Sequence, residues 1–256
     1  RDIDTKSDFY FVLKDKQFLA DDHDLEIQLD LLANQLKSRK AYLDDFTSLH
    51  MIVVTARCNF NWRYCHASSA NENEHNLDLD WPTAKQIVNK IFESPSPIIK
   101  IEFQGGEPLL NWPIIQDIVE YAEIVNRIAK RRLEFVICTN LTLITKDILE
   151  YCEKHAIAIS TSLDGDQEIQ NYNRKPRGPI DGYEVFEEKL ALIRSVLGQD
   201  GASPLLTVSK TNLNSLPQVV DEYINHNFHG IFIRALNPYG NAVDNIKTLG
   251  YSTEEF

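Results

Sequence analysis

Apolar residues recur along this chain with two periods. Six short runs rich in β-branched residues fall at about 50–55, 98–103, 133–139, 156–163, 204–209 and 230–235. Stretches with helical spacing fill the gaps at 82–93, 112–130, 144–155, 182–197 and 215–227. Trp81-Pro82 and Trp112-Pro113 place a proline in a first turn, and Thr145 stands before Lys146-Asp147 as an N-cap. Gly198, Gly201 and Gly230 mark chain reversals. Six strands alternating with helices predict an α/β domain with a parallel sheet and right-handed crossovers. Period alone leaves two forms open: a doubly wound open sheet, or a sheet curved into a full or partial barrel.

The first 47 residues follow a different pattern. Residues 9–20 are aromatic and aliphatic and predict one or two strands turning at Lys14-Asp15-Lys16. Residues 24–40 carry Leu25, Ile27, Leu29, Leu31, Leu32 and Leu36 without proline or glycine, and predict a helix. This part reads as a small α+β appendage with no chemistry of its own.

In parallel α/β sheets ligands sit at the carboxyl ends of the strands. Polar and glycine-bearing clusters follow each predicted strand. They are the Cys58–Cys65 loop, Gln104-Gly105-Gly106-Glu107-Pro108, Thr139-Asn140, Ser162-Leu163-Asp164-Gly165, Ser209-Lys210-Thr211-Asn212, and Arg234 through Asn241. Six such edges on one rim point to a ligand site.

Composition narrows the partners. The formal charge of −12 repels phosphate backbones, so nucleic acid is not an expected partner. The one tight basic run, Lys130-Arg131-Arg132, reads as a helix C-terminus meeting the dipole. No apolar run reaches the roughly 20 residues of a membrane span, so no membrane partner is expected. Four cysteines in a chain of 256 residues do not form a secreted disulfide framework, and a reducing cytoplasm is the expected location. Cys138, in an apolar run, reads as a buried strand residue, and Cys152 as a helical core residue. The charged start at Arg1, without an initiator Met, and the abrupt end at Phe256 read as those of a fragment.

The loop Cys58-Asn59-Phe60-Asn61-Trp62-Arg63-Tyr64-Cys65-His66 leaves the first predicted strand. A C-x3-C-x2-C loop in that place gathers three thiolates and can hold three irons of a cubane cluster, leaving the fourth open. Here the first and third cysteines are present and Trp62 stands between them. From the residues alone, Cys58 and Cys65 could also be a pair of buried thiols, or a small zinc site with His66.

With Leu49-His50-Met51, Gln104-Gly105-Gly106-Glu107-Pro108 and Ser162-Leu163-Asp164-Gly165-Asp166, this loop resembles the radical S-adenosylmethionine (radical SAM) enzymes over roughly residues 48–245. Within them the chain looks like the peptide-modifying maturases, particularly the His-Xaa-Ser system maturase. The resemblance implies a partial parallel (β/α)6 barrel at 48–245, after an appendage at 1–47 and before the start of a truncated C-terminal region at 246–256. It implies a [4Fe-4S] cluster on Cys58 and Cys65, with S-adenosylmethionine chelating the open iron and cleaved reductively. It implies that Tyr64 packs near the adenine and that Gly105, Gly106, Glu107 and Pro108 form the element receiving the ligand's ammonium. Asn140, Ser162 and Asp164 would lie by the ribose, and Arg174 would pair with the methionine carboxylate. A peptide or small protein substrate and an external one-electron donor are the implied partners.

Trp62 departs from that pattern, because an indole has an N–H donor and no lone pair suited to iron. Three readings stand open: an engineered or miscalled residue in an active enzyme, a pseudoenzyme that binds without radical chemistry, or a cluster completed by an unusual ligand. No cysteine follows Cys152, so a cysteine-rich extension for auxiliary clusters is absent from this chain.

Overall fold

The computed structural model describes residues 4–16, 18–19 and 25–256. The chain divides into two compact units, residues 1–47 and 48–256.

In the first unit, α1 (Asp8–Asp15) and α2 (Leu25–Arg39) are helices, followed by a 3-10 turn at Ala41–Asp45. The strands expected at 9–20 are therefore corrected: 8–15 is helical, and no strand is present among the described residues of this unit. The reason is local. The Ser7 side chain accepts from the Tyr10 amide as an N-cap, Asp8 lies in the first turn and Lys14 in the last. These end effects outweigh the β preference of Phe9, Tyr10, Phe11 and Val12.

The second unit is built on six strands: β1 (Leu49–Thr55), β2 (Ile98–Gly105), β3 (Arg132–Cys138), β4 (Ile157–Ser162), β5 (Ala202–Thr207) and β6 (Phe232–Arg234). All neighbouring pairs are parallel, and the spatial order is the chain order, β1 to β6. That order decides what periodicity left open. A doubly wound sheet reverses direction at a switch point. Right-handed crossovers in unreversed order put every helix on one face and leave the other for the barrel interior. β1 and β6 do not pair, so the barrel is partial.

The helices are α3 (Trp81–Ile91), α4 (Trp112–Ala129), α5 (Lys146–Lys154), α6 (Gln167–Asn173), α7 (Gly182–Leu197) and α8 (Leu216–Asn225). Pro82 and Pro113 sit in first turns, and Thr145 caps α5 by accepting from the Ile148 amide. The basic run begins at the C-cap of α4, where Lys130 takes a left-handed conformation. The sequence reading did not include α6, which starts at an Asp166 cap. Ile99, Ile101 and Phe103 of β2, Phe135 and Ile137 of β3, and Ile157 and Ile159 of β4 form the core with α3, α4, α5 and α7. The alternate positions face the barrel interior: Glu102 and Gln104 of β2, Cys138 of β3, and Ser160 and Ser162 of β4 all line one cavity. Two short helices, α9 (Asn241–Asp244) and α10 (Ile246–Leu249), follow β6. Among the described residues no helix is long and apolar enough to cross a membrane.

Candidate functional site

The loop after β1 is anchored by an ion pair between the buried Arg57 and the half-buried Asp78. Arg57 donates from Nε and Nη2 to the two carboxylate oxygens of Asp78, each at 2.7 Å, and from Nη1 to the Glu72 carbonyl at 2.7 Å. Burial works to raise the Asp78 carboxyl, and the hydrogen bonds from Arg57 and Thr55 outweigh it, so the net shift is downward. This fixes the backbone immediately before Cys58.

From there the loop forms two small ribbons. Arg57–Cys58 pairs in parallel with Ala70–Asn71, and Phe60–Trp62 pairs antiparallel with Arg174–Pro176. The second ribbon sets Trp62 directly opposite Arg174. Their side chains meet as cross-strand neighbours do, with the Arg174 guanidinium 4.1 Å from the indole centroid. Such a desolvated contact is worth about 2 kcal/mol.

Arg174 is 2% exposed and Asp164 is fully buried. They form two hydrogen bonds of 3.1 Å, Nε to Oδ2 and Nη2 to Oδ1. Asp164 also accepts from the Tyr64 hydroxyl, the Asn173 side-chain amide and the Thr207 backbone N–H. Its charge is thus committed inside the protein. Tyr64 itself packs with Ala242 and Leu249.

Glu107 is buried and accepts from the Leu109 amide at 3.0 Å, the Thr139 hydroxyl at 2.7 Å and the Asn140 amide at 2.8 Å. Burial lifts its carboxyl to about 7 against those three donors. The glycines before it serve a close approach between backbones. A Cβ on Gly105 would stand 2.1 Å from the Thr55 carbonyl oxygen, and one on Gly106 2.1 Å from that of Arg57. The approach lets the Gly106 amide donate to Thr55 at 3.0 Å and the Glu107 amide to Arg57 at 2.7 Å, extending the β1–β2 ladder into the loop.

These elements enclose a cavity of about 450 Å³. Of the residues singled out in the sequence, Cys58, Cys65, Gly105, Gly106, Asn140 and Ser162 line it. Tyr64, Glu107, Pro108, Asp164 and Arg174 stand behind that wall and are buried. Cys138 corrects the expectation of a buried strand thiol. It is only half-buried, lines the cavity, and its Sγ lies 3.2 Å from the Glu102 carboxylate. Cys152 is 1% exposed within the core, as expected.

The sequence reading missed Glu102 on the cavity wall; Gln104, His66 and Arg234, which it had named in the loops of the rim, line the cavity as well. Period 2 was the available signal for Glu102 and Gln104, which alternate with buried Ile101 and Phe103. It also missed the brace behind the loop. Asn241 donates to the Trp62 carbonyl at 3.0 Å, and Asn245 to that of Arg63 at 3.0 Å. The Asn241 amide donates to the Cys65 carbonyl at 2.9 Å.

A family description, the radical SAM superfamily, matches residues 52–223. This chain belongs to the radical SAM superfamily. It is 38% identical over 117 residues to an uncharacterised protein of Methanocaldococcus jannaschii, a match covering 45% of this chain and 38% of that protein. It is 26% identical over 168 residues to the radical SAM cyclopropyl synthase TigE of Paramaledivibacter caminithermalis, covering 58% of this chain and 35% of the synthase. The solved structure of native anSMEcpe with bound AdoMet superposes with a TM-score of 0.65 at 19% identity, over 74% of this chain and 51% of that one. Streptococcus suis SuiB bound to its precursor peptide SuiA superposes with a TM-score of 0.55 at 16% identity, over 82% of this chain and 45% of that one. The chain thus spans about half or less of the length of these proteins, and the superpositions, at identities under 20%, show the fold alone.

Membership implies S-adenosylmethionine and an iron–sulfur cluster. The donor set can be tested against that cluster. Cys58 and Cys65 line the cavity, and Trp62 lines it between them. Burial, then the Glu107 carboxylate, push the Cys58 thiol up to about 12. Burial and Arg234 hold His66 below the usual imidazole range. Among the described residues no three His, Cys, Asp or Glu side chains gather to hold a metal ion. A cubane held by three thiolates does not fit this donor set.

Proposed function

We propose that this chain is a radical SAM scaffold that binds its ligand and peptide partner without carrying out the family's radical reaction. The observation that carries this reading is Trp62. It lies between the two loop cysteines in sequence, lines the cavity with them, and is paired through the ribbon to Arg174. An indole in that place supplies bulk and an N–H donor where a cluster needs a thiolate. S-adenosylmethionine is the small ligand of this reading. A peptide or small protein is the partner, supported by SuiB with its precursor peptide and anSMEcpe with a bound peptide. Four free cysteines support a reducing, cytoplasmic setting.

A second reading is an active enzyme that takes an electron from an external donor and modifies a ribosomally made peptide, as a maturase of the His-Xaa-Ser type would. It is favoured by the place of Cys58 and Cys65 on the same cavity wall. Anaerobic reconstitution with iron and sulfide separates the two. The chain and its Trp62→Cys variant are assayed for bound iron and for release of 5′-deoxyadenosine from S-adenosylmethionine. The proposal expects about four irons per chain and 5′-deoxyadenosine from the cysteine variant alone. Four irons and cleavage in the parent chain would establish the second reading instead.

A further inference from the structure

Among the described residues lining the cavity, Glu102 is the one acid. It lies on the inner face of β2, three residues before Gly105, and so roughly 10 Å further into the barrel than the glycine loop. Its Oε1 accepts from the Gln104 side-chain amide and from the Cys138 thiol, the latter at 3.2 Å. Burial, then the Glu102 charge, pushes the Cys138 thiol up, so it keeps its proton and serves as a donor. Both donors are neutral and both go to one oxygen. Oε2 has no partner among the described residues and is accessible rather than buried. Glu102 makes no ion pair among those residues, although Lys100 shares its strand face and Arg234 its cavity. The wall beyond Cys138 is small and hydroxylic. Cys138 is the register partner of Ser160, and Ser160 of Ser203, and all three line the cavity.

A carboxylate in this place sets a condition on whatever fills the cavity. A ligand that strips water from Oε2 without bringing a donor leaves an unpaired charge away from solvent, which is strongly unfavourable. A cation removes that cost, and the formal charge of −12 draws cations toward the chain. The lone pairs decide which cation. Gln104 and Cys138 take both lone-pair sites of Oε1, so a guanidinium fork finds no pair of free carboxylate oxygens to grip. A primary ammonium carries three donors on one atom. It needs one carboxylate oxygen and small oxygen acceptors around it, as Oε2 and the Ser160 hydroxyl on the neighbouring wall supply.

We propose that Glu102 is a specificity-determining residue that receives the ammonium of a lysine side chain of the peptide partner inside the barrel, with Gln104 and Cys138 holding its carboxylate in place. The inference rests on the peptide partner of the reading above, and not on the loss of radical chemistry. A peptide's N-terminal ammonium and the amino group of S-adenosylmethionine carry the same chemistry, and the test separates these sources.

Calorimetric titration of the full chain, with S-adenosylmethionine present, tests the site with four tripeptides. They are acetyl-Gly-Lys-Gly amide, its norleucine and arginine counterparts, and Gly-Gly-Gly amide with a free N-terminus. The lysine probe is expected to bind roughly 10- to 100-fold more tightly than the norleucine probe, the range of hydrogen bonds to charged groups, and more tightly than the arginine probe. Glu102→Gln is expected to abolish the lysine preference. Glu153→Gln, which removes an exposed carboxylate of α5, is expected to leave it unchanged. S-adenosylmethionine alone is expected to bind the parent chain and Glu102→Gln alike. Equal affinity for the lysine and norleucine probes overturns the proposal while the peptide partner stands; no binding of any tripeptide overturns both. A preference that survives Glu102→Gln in a chain with unchanged circular dichroism overturns it, as does one lost equally in Glu153→Gln, which would assign it to overall charge. If Glu102→Gln does not fold, Glu102→Asp, which withdraws the charge by one methylene, is expected to weaken the preference, and an undiminished one overturns the proposal. An arginine probe as tight as the lysine probe, a tighter free N-terminus, or S-adenosylmethionine weakened by Glu102→Gln would each overturn the assignment to lysine. Iron content is read separately, so a parent chain that assembles about four irons would sink the loss of radical chemistry and leave this inference to the peptide titrations.

Discussion

Two buried carboxylates, Asp164 and Glu107, show how partners divide one functional group into two roles. Asp164 sits against a guanidinium and accepts donors on both oxygens. Glu107 has three uncharged donors and no cation, and burial lifts it to about 7. Its raised value has a consequence for stability. The folded state holds the proton more tightly than the unfolded chain, whose value lies near 4.5. The stabilisation is therefore complete below that unfolded value and disappears as pH rises through about 7. On this basis the chain should lose about 3 kcal/mol between pH 4.5 and pH 8 relative to Glu107→Gln. Urea unfolding of both proteins across that range checks it. Parallel pH profiles would show that Glu107 ionises as an ordinary carboxyl.

Between elements, the decisive contacts are those where one loop's backbone lies against another's. Gly106 is required because the β2 loop runs under the Arg57 carbonyl, and Gly240 because the loop after β6 runs under those of Cys65 and His66. A Cβ on Gly240 would meet the Cys65 oxygen at 2.4 Å. Gly106→Ala is expected to cost about 3 kcal/mol, since the obstacle is backbone and cannot swing aside. Gly178→Ala, where an added Cβ meets nothing within 4 Å, is expected to stay within about 0.5 kcal/mol. Equal denaturation midpoints for the two variants would show that the β1 and β2 loops have room that their backbones do not display.

At the scale of the molecule, the two units differ in what they bury. Neither α1 nor α2 contains a buried residue, whereas the second unit holds a continuous core between sheet and helices. We propose the division at residue 47 as a domain boundary. Removing residues 1–47 is then expected to shift the melting midpoint by no more than about 2–4 °C, the equivalent of 1 kcal/mol in a chain of this size. A larger drop in a melting curve of residues 48–256 would mean that the first unit contributes to the second unit's stability.

The sequence by itself determined the local features of this protein. The six strands of the main sheet and helices α3, α4, α5, α7 and α8 follow from hydrophobic period, and the α5 cap from Thr145, because each depends on near neighbours in the chain. The family was legible for the same reason, being carried by short contiguous motifs around Cys58, Gly105 and Ser162. Tertiary structure alone decided the rest. The order of strands required pairings between residues about 50 positions apart, such as Leu49 with Lys100, which no local period records. The Trp62–Arg174 pair depends on a ribbon joining segments more than 100 residues apart. The exposure of Cys138 to the cavity depends on which face of the sheet the crossovers cover. That Arg234 has no ion-pair partner among the described residues became visible only once the fold had assigned Asp164 to Arg174, because the partners a charge finds are set by everything that packs around it.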